Sequence, residues 1–125
     1  MKIILFMKII VILSFITSLI ACNGSQSDTV KVLTPKEFKE QVDNKQVQLI
    51  DVRTPKEYNS GHINGARNID FNSNSFGIEF NKLNKDEPVY IYCRSGVRSG
   101  EASKKLETMG FKEIYDLKGG ILNYK

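Results

Sequence analysis

Apolar positions along this chain follow two patterns, and the change between them divides the molecule. From Ile9 to Ala21 the run IIVILSFITSLIA carries neither charge nor proline. From Val32 onward, short apolar runs alternate with segments of helical character. That is the pattern of an α/β sandwich with a mostly parallel central sheet flanked by helices. Residues 23–31 (NGSQSDTVK) between the two are polar and small, without apolar period, and predict a flexible tether.

Within the second region the elements announce their ends. Thr34-Pro35-Lys36-Glu37 combines a capping box with proline at the first helical position and predicts a helix through about Val42. Val47 to Val52 is an apolar run of strand length. Thr54-Pro55-Lys56-Glu57 repeats the cap, so a second short helix follows and stops near Gly61. Ala66 to Ile69 predicts a short strand, and the Asn-rich stretch after it a helix over 76–83. Pro88-Val89-Tyr90-Ile91-Tyr92 is the clearest buried strand. A helix beginning near Arg98 carries Ala102, Leu106 and Met109 on one face and ends at Gly110. Glu113 to Leu117 is a last strand, and Gly119-Gly120 breaks the chain after it. Tyr90, Tyr92 and Tyr115 sit on strands and are read as core.

The chain has 125 residues, 41% hydrophobic and 26% charged, which leaves room for one domain. Its first apolar run follows Lys2 and Lys8 and ends in Leu19-Ile20-Ala21-Cys22, the layout of a secretory signal. Leu-Ile-Ala-Cys resembles the bacterial lipobox, in which the cysteine is lipidated and opens the mature protein. The division implied is a lipoprotein signal peptide over 1–21, a tether over 22–31 with lipidated Cys22, and a domain over 32–125. The product would be exported and lipid-anchored to the cell envelope, periplasmic or on the outer face of a membrane. The other reading is a plain membrane-anchor helix, since a span needs ~20 apolar residues. Met7 could itself be the true start, because the leader is complete from there. Without Lys2 and Lys8, sixteen basic residues face fourteen acidic ones, a net charge of only +2 with no basic run. No nucleic-acid partner is expected from so small a balance.

Lipidation of Cys22 would leave Cys93 as the one free thiol, without a partner for an internal disulfide. It lies where the buried strand runs into Arg94-Ser95-Gly96-Val97-Arg98-Ser99. Gly96 frees that loop to turn at positive φ, and successive amide N–H groups there can converge on an anion. The positive end of the following helix dipole points at the same place, and Arg94 and Arg98 add permanent cations. Such a field favours a thiolate, an anionic substrate or a persulfide. The bland alternative is a structural cysteine closing a buried strand.

The loop resembles the active-site loop of rhodanese-like sulfurtransferases, and further fragments agree in order. Leu49-Ile50-Asp51-Val52-Arg53 resembles the family's Asp-Val-Arg strand end. Residues 57–69 (EYNSGHINGARNI) resemble its E-(Y/F)-x-x-G-H-I-x-G-A-x-N-(I/L) segment. Residues 93–99 (CRSGVRS) match its C-R-x-G-x-R-S loop, and Gly119-Gly120-Ile121 its late Gly-Gly turn. Together the fragments run from Leu33 to Tyr124. The resemblance implies a rhodanese-like three-layer sandwich and catalysis by Cys93 without metal or other cofactor. The Cys93 thiolate would attack the outer sulfur of thiosulfate or a similar small anion. It would then pass sulfur from a persulfide to a thiol or a protein acceptor. Arg94, Ser95, Gly96, Val97, Arg98 and Ser99 would bind substrate, their N–H groups stabilising the anion. A monomer is expected. Tyr124 stands where the family commonly has tryptophan and the chain ends one residue later. The C-terminal edge is therefore expected to be less covered and less stable.

Supporting roles fall to Asp51, Arg53 and His62. His62 is the single histidine, which excludes a multi-histidine metal site, and the resemblance places it in a surface turn with a hydrogen-bonding role. A strand-end carboxylate such as Asp51 usually anchors neighbouring backbone, and Glu57 is explained by its cap. Two rivals remain. A phosphatase or arsenate reductase on the same fold needs one residue more between cysteine and arginine than the four here. A non-catalytic rhodanese-like module on the membrane surface would not need Cys93.

Overall fold

The computed structural model describes residues 27–125. The leader, its lipobox and Cys22 lie outside the described residues. Five strands form one parallel sheet in the order β1-β5-β4-β2-β3: β1 Val30–Leu33, β2 Gln48–Asp51, β3 Arg67–Asn68, β4 Val89–Tyr92 and β5 Ile114–Leu117. Helices α1 Pro35–Val42, α2 Pro55–Asn59, α3 Phe76–Phe80 and α4 Val97–Thr108 connect them, and a 3-10 turn spans Ile121–Asn123. Every strand pair is parallel, so each crossover must return over a face of the sheet and cover it.

Alternation along the strands sorts the core into two layers. On one face Ile50, Val52, Val89, Ile91 and Ile114 pack with Phe76 and Phe80 of α3 and Ala102 and Leu106 of α4. On the other, Leu49, Tyr90, Tyr92 and Leu117 pack with Phe38 and Val42 of α1. Helix, sheet and helix thus make the three-layer α/β sandwich that the sequence implied. Both capping boxes form: Thr34 and Thr54 each accept from the N–H of the glutamate three residues on, and that carboxylate returns to the threonine N–H. Tyr90 and Tyr92 are buried, as a core role requires, and Tyr115 is half-buried, stacked on Tyr90.

The departures are local. α3 ends at Phe80 rather than reaching 83, and α4 starts one residue before Arg98. The sheet also begins earlier than the pattern suggested. β1 opens at Val30, inside the stretch read as a tether, because pairing with β5 matches Val30 to Ile114 and Leu33 to Leu117. Ser27, just before it, donates to Glu107 of α4 at 2.7 Å. Among the described residues no helix is long and apolar enough to cross a membrane.

Phe80 is fully buried and meets Phe111 edge-on at 6.0 Å and Phe76 at 4.6 Å. Phe80→Ala should therefore lower the unfolding free energy by about 3–5 kcal/mol, read as a shifted denaturant midpoint at unchanged slope. A loss below about 1 kcal/mol would show that this layer is not close-packed.

Candidate active site

Strand β4 delivers Cys93 to the C-terminal edge of the sheet, on the face covered by α4. The chain must then enter α4 within three residues, and Gly96 makes the turn at φ 105°, ψ −12°, a region glycine favours. This conformation turns the Gly96 N–H back onto the sulfur, to which it donates at 3.0 Å. Gly96 is also the N-cap of the 12-residue α4, so the positive end of that helix lies against the same atom. The thiol donates to Ser99 Oγ at 3.4 Å, and the Ser99 hydroxyl donates to the Gly96 carbonyl at 3.3 Å. Cys93 is 1% exposed.

Two contacts from distant parts of the chain fix this loop. Ile121 N–H donates to the Cys93 carbonyl at 2.9 Å, and Leu122 N–H to the Arg94 carbonyl at 3.2 Å. Between them Gly120, at φ 67°, lies so close to Arg94 that a Cβ would collide with its carbonyl. On the other side Arg98 forms a bidentate pair with Glu57, Nη1 to Oε1 at 2.7 Å and Nη2 to Oε2 at 2.9 Å. The guanidinium holds the Glu57 carboxyl at about 2, well below the ordinary carboxylate range, with Thr54 adding to the effect. Planar forks of this kind fix direction as well as distance.

Asp51 and Arg53 stand at the end of β2, and His62 lies apart from them on the segment after α2. Asp51 Oδ1 accepts from the Arg53 N–H at 2.9 Å, and the Arg53 guanidinium grips the buried carboxylate, Nη2 to Oδ2 at 2.7 Å. The same Nη2 donates to the Gly61 carbonyl at 2.6 Å, and the Ile63 N–H donates to Tyr92 Oη at 3.0 Å. The segment from Gly61 to Ile63 is therefore pinned to the sheet. His62 is exposed, donates from Nδ1 to the Tyr58 carbonyl at 2.9 Å and stacks on the Tyr58 ring at 3.7 Å.

Of the residues singled out from sequence, the structure brings Cys93, Gly96 and Ser99 into direct contact. Arg94, Ser95 and Val97 are exposed on the outer side of the loop, and Arg98 spends its donors on Glu57. Two further participants are Glu57, which the sequence explains by its cap alone, and Asp116, which it does not single out. Glu57 caps α2 and also braces the loop across 41 residues of sequence. Asp116 of β5 is 5% exposed and lies beside Ser99, its Oδ1 without a hydrogen-bond partner; burial raises its carboxyl to about 6, the Ser99 hydroxyl pulling the other way. The signal for Asp116 was available: with Ile114 buried, a period of two puts residue 116 on the same inward face. Among the described residues no three His, Cys, Asp or Glu side chains group as a metal site requires.

Comparison with known proteins agrees with this fold. The family model described as a rhodanese-like domain matches residues 34–125. The chain is 43% identical over 113 residues to the protein YqhL of Bacillus subtilis (strain 168), covering 90% of this chain and 86% of that one. It is 35% identical over 104 residues to the probable adenylyltransferase/sulfurtransferase MoeZ of Mycobacterium tuberculosis (strain CDC 1551 / Oshkosh), covering 82% of this chain but only 26% of MoeZ. Among solved structures, a rhodanese-like domain protein from Staphylococcus aureus superposes with a TM-score of 0.67 at 33% identity, over 76% of this chain and 91% of that chain.

The Glu57–Arg98 pair is a measurable brace. Because the folded carboxyl lies at about 2 rather than 4.5, its stabilisation is present above pH 4.5 and is lost as pH falls through about 2. Glu57→Gln should cost about 1 kcal/mol at neutral pH, the pair being only partly buried. The gap to wild type should close between pH 4.5 and 2 in denaturant titrations. A gap that stays constant with pH would show that the pair contributes nothing through its charge.

Proposed function

The chain belongs to the rhodanese-like domain family, and on that premise we propose that it is a sulfurtransferase with Cys93 as its sulfur carrier. The observation that carries the proposal is the Gly96 N–H aimed at the Cys93 sulfur from the N-cap of α4. A neutral buried thiol does not need such a donor and dipole; an anionic sulfur does.

The donor class is a small anion with a sulfane sulfur, such as thiosulfate. The Cys93 thiolate attacks the outer sulfur, an S–S bond forms to Cys93, and the donor's S–S bond breaks with its electron pair leaving on sulfite. The enzyme then holds a persulfide. A thiol, free or on a protein, attacks the outer sulfur and takes it, and the pair returns to Cys93 as thiolate. No net oxidant or reductant enters either half.

The short loop supports sulfur over phosphate as cargo. Arg98 is paired with Glu57 and the Gly96 N–H with the sulfur itself, so neither is free to hold a tetrahedral oxyanion. The exposed Arg94 on the outer side of the loop supplies a cation to draw the donor in. For the whole protein we propose export and lipid anchoring at Cys22, on the strength of the lipobox-like leader, so that the acceptor is extracytoplasmic.

Peptide mass spectrometry after incubation with thiosulfate tests the assignment. The peptide bearing Cys93 should gain the mass of one sulfur, reversed by a thiol and absent in Cys93→Ser. No gain with thiosulfate, thiosulfonates or polysulfides would overturn it. Hydrolysis of p-nitrophenyl phosphate by the same preparation would favour the phosphatase instead.

A further inference from the structure

On β5, alternation places Ile114 and Asp116 on the face covered by α4, the face that also carries Cys93. Asp116 pairs in register with Ile91 of β4, two residues before Cys93, and with Val32 of β1. Its carboxyl is therefore held inside the sandwich rather than at a rim, 5% exposed and with Oδ1 unpartnered. A carboxyl left in this state within a parallel sheet is unfavourable unless something uses it.

The groups around it are few. Tyr90 and Tyr92 of β4 face the other layer, and the titratable group just past its end on this face is Cys93. From α4 comes Ser99, and Ser103, Lys104 and Glu107 of the same helix line a cavity of about 280 Å³ that Asp116 shares with Ser27, Val30 and Val32. Lys104 pairs with Glu101 at 3.3 Å and Glu107 accepts from Ser27 at 2.7 Å, so neither satisfies Asp116. The Ser103 hydroxyl donates to the Ser99 carbonyl at 2.9 Å, and the fully buried Ser99 hydroxyl lies beside the Asp116 carboxyl and touches the Cys93 sulfur at 3.4 Å. One rotatable hydroxyl thus stands between two acidic groups.

We propose that Asp116 is a positioning residue for the sulfur chemistry, sharing one negative charge with Cys93 through the Ser99 hydroxyl. While the sulfur is a neutral thiol, Asp116 is ionised. When the thiol ionises, its S–H bond breaks and the proton is held by the Asp116 carboxylate, either directly from solvent exchange or by way of Ser99. Neutral Asp116 then donates to Ser99 Oγ, which frees the Ser99 O–H to turn from the Gly96 carbonyl to the sulfur. The anion gains a second donor beside Gly96 N–H, and between the two ionisation steps the pair carries one negative charge rather than two side by side. Loading a persulfide anion would keep Asp116 protonated until sulfur leaves.

The last consequence rests on the proposed sulfur carriage; the coupling itself does not, and it is tested without any sulfur donor. Iodoacetamide alkylation of the Cys93 peptide in the full chain, followed by mass spectrometry so that Cys22 does not interfere, gives a pH–rate profile. Wild type should show two steps, the lower near pH 6 where burial places the Asp116 carboxyl. Asp116→Asn keeps a neutral donor at the position without the carboxylate's charge, so it should show a single step and react about tenfold faster at pH 7. A profile and rate unchanged from wild type would overturn the proposal. Should Asp116→Asn fold poorly, infrared difference spectra of wild type decide. Alkylating Cys93 just above pH 7 should remove a carboxylic-acid C=O band as the now uncharged sulfur lets Asp116 ionise. No loss of that band overturns the coupling. A positive coupling with no sulfur loading would instead leave the coupling standing and remove the sulfurtransferase assignment.

Discussion

The Cys93 loop owes its shape to a seam of bare backbone. Gly120 lies against the Arg94 carbonyl with no room for a side chain, and the two amides after it donate to the Cys93 and Arg94 carbonyls. A strand ending in a sharp turn leaves carbonyls facing outward with no ladder to join. Here residues from beyond β5 supply the missing donors, so the turn is closed from outside and can be as tight as Gly96 allows. The Glu57–Arg98 fork then clamps the first turn of α4 from the other side. With both ends fixed, the Gly96 amide donates to a single sulfur atom and the Ser99 hydroxyl oxygen lies against it.

That arrangement is what supports the proposed sulfur chemistry over the others this fold could host. A wide loop with free arginine donors would suit a tetrahedral oxyanion. This loop instead uses its arginine as a brace and concentrates its field on one atom. The Asp51–Arg53 clamp has a similar structural role at the end of the neighbouring strand β2. It holds the Gly61 carbonyl just past the end of α2, the helix that carries Glu57. The residues of the late Gly-Gly turn, the Asp-Val-Arg strand end and the segment around His62 thus form one scaffold for the loop.

Much of this was legible in the sequence because it is local. Capping boxes at Thr34 and Thr54, the continuous apolar run of β4 and the Gly110 stop each depend on a few neighbouring residues, and the elements stand close to where these signals put them. β1 was missed because Val30-Lys31-Val32-Leu33 means nothing until β5 pairs with it, about eighty positions away in the chain. Glu57 looked fully explained by its cap, and no spacing rule links it to Arg98. Arg98 itself was read as a donor-binding cation from its place in the motif, but a motif does not state where a guanidinium points. Asp116 broke the apolar alternation of its strand, and that break was the visible trace of a buried carboxyl beside the site.

The central claim is that sulfur travels through a covalent Cys93 persulfide rather than directly from donor to acceptor. Initial rates measured with thiosulfate and a thiophilic acceptor varied together test it most directly. The account predicts parallel lines in double-reciprocal plots, the pattern of a double displacement in which the first product leaves before the acceptor binds. Intersecting lines, requiring donor and acceptor on the protein at once, would contradict it.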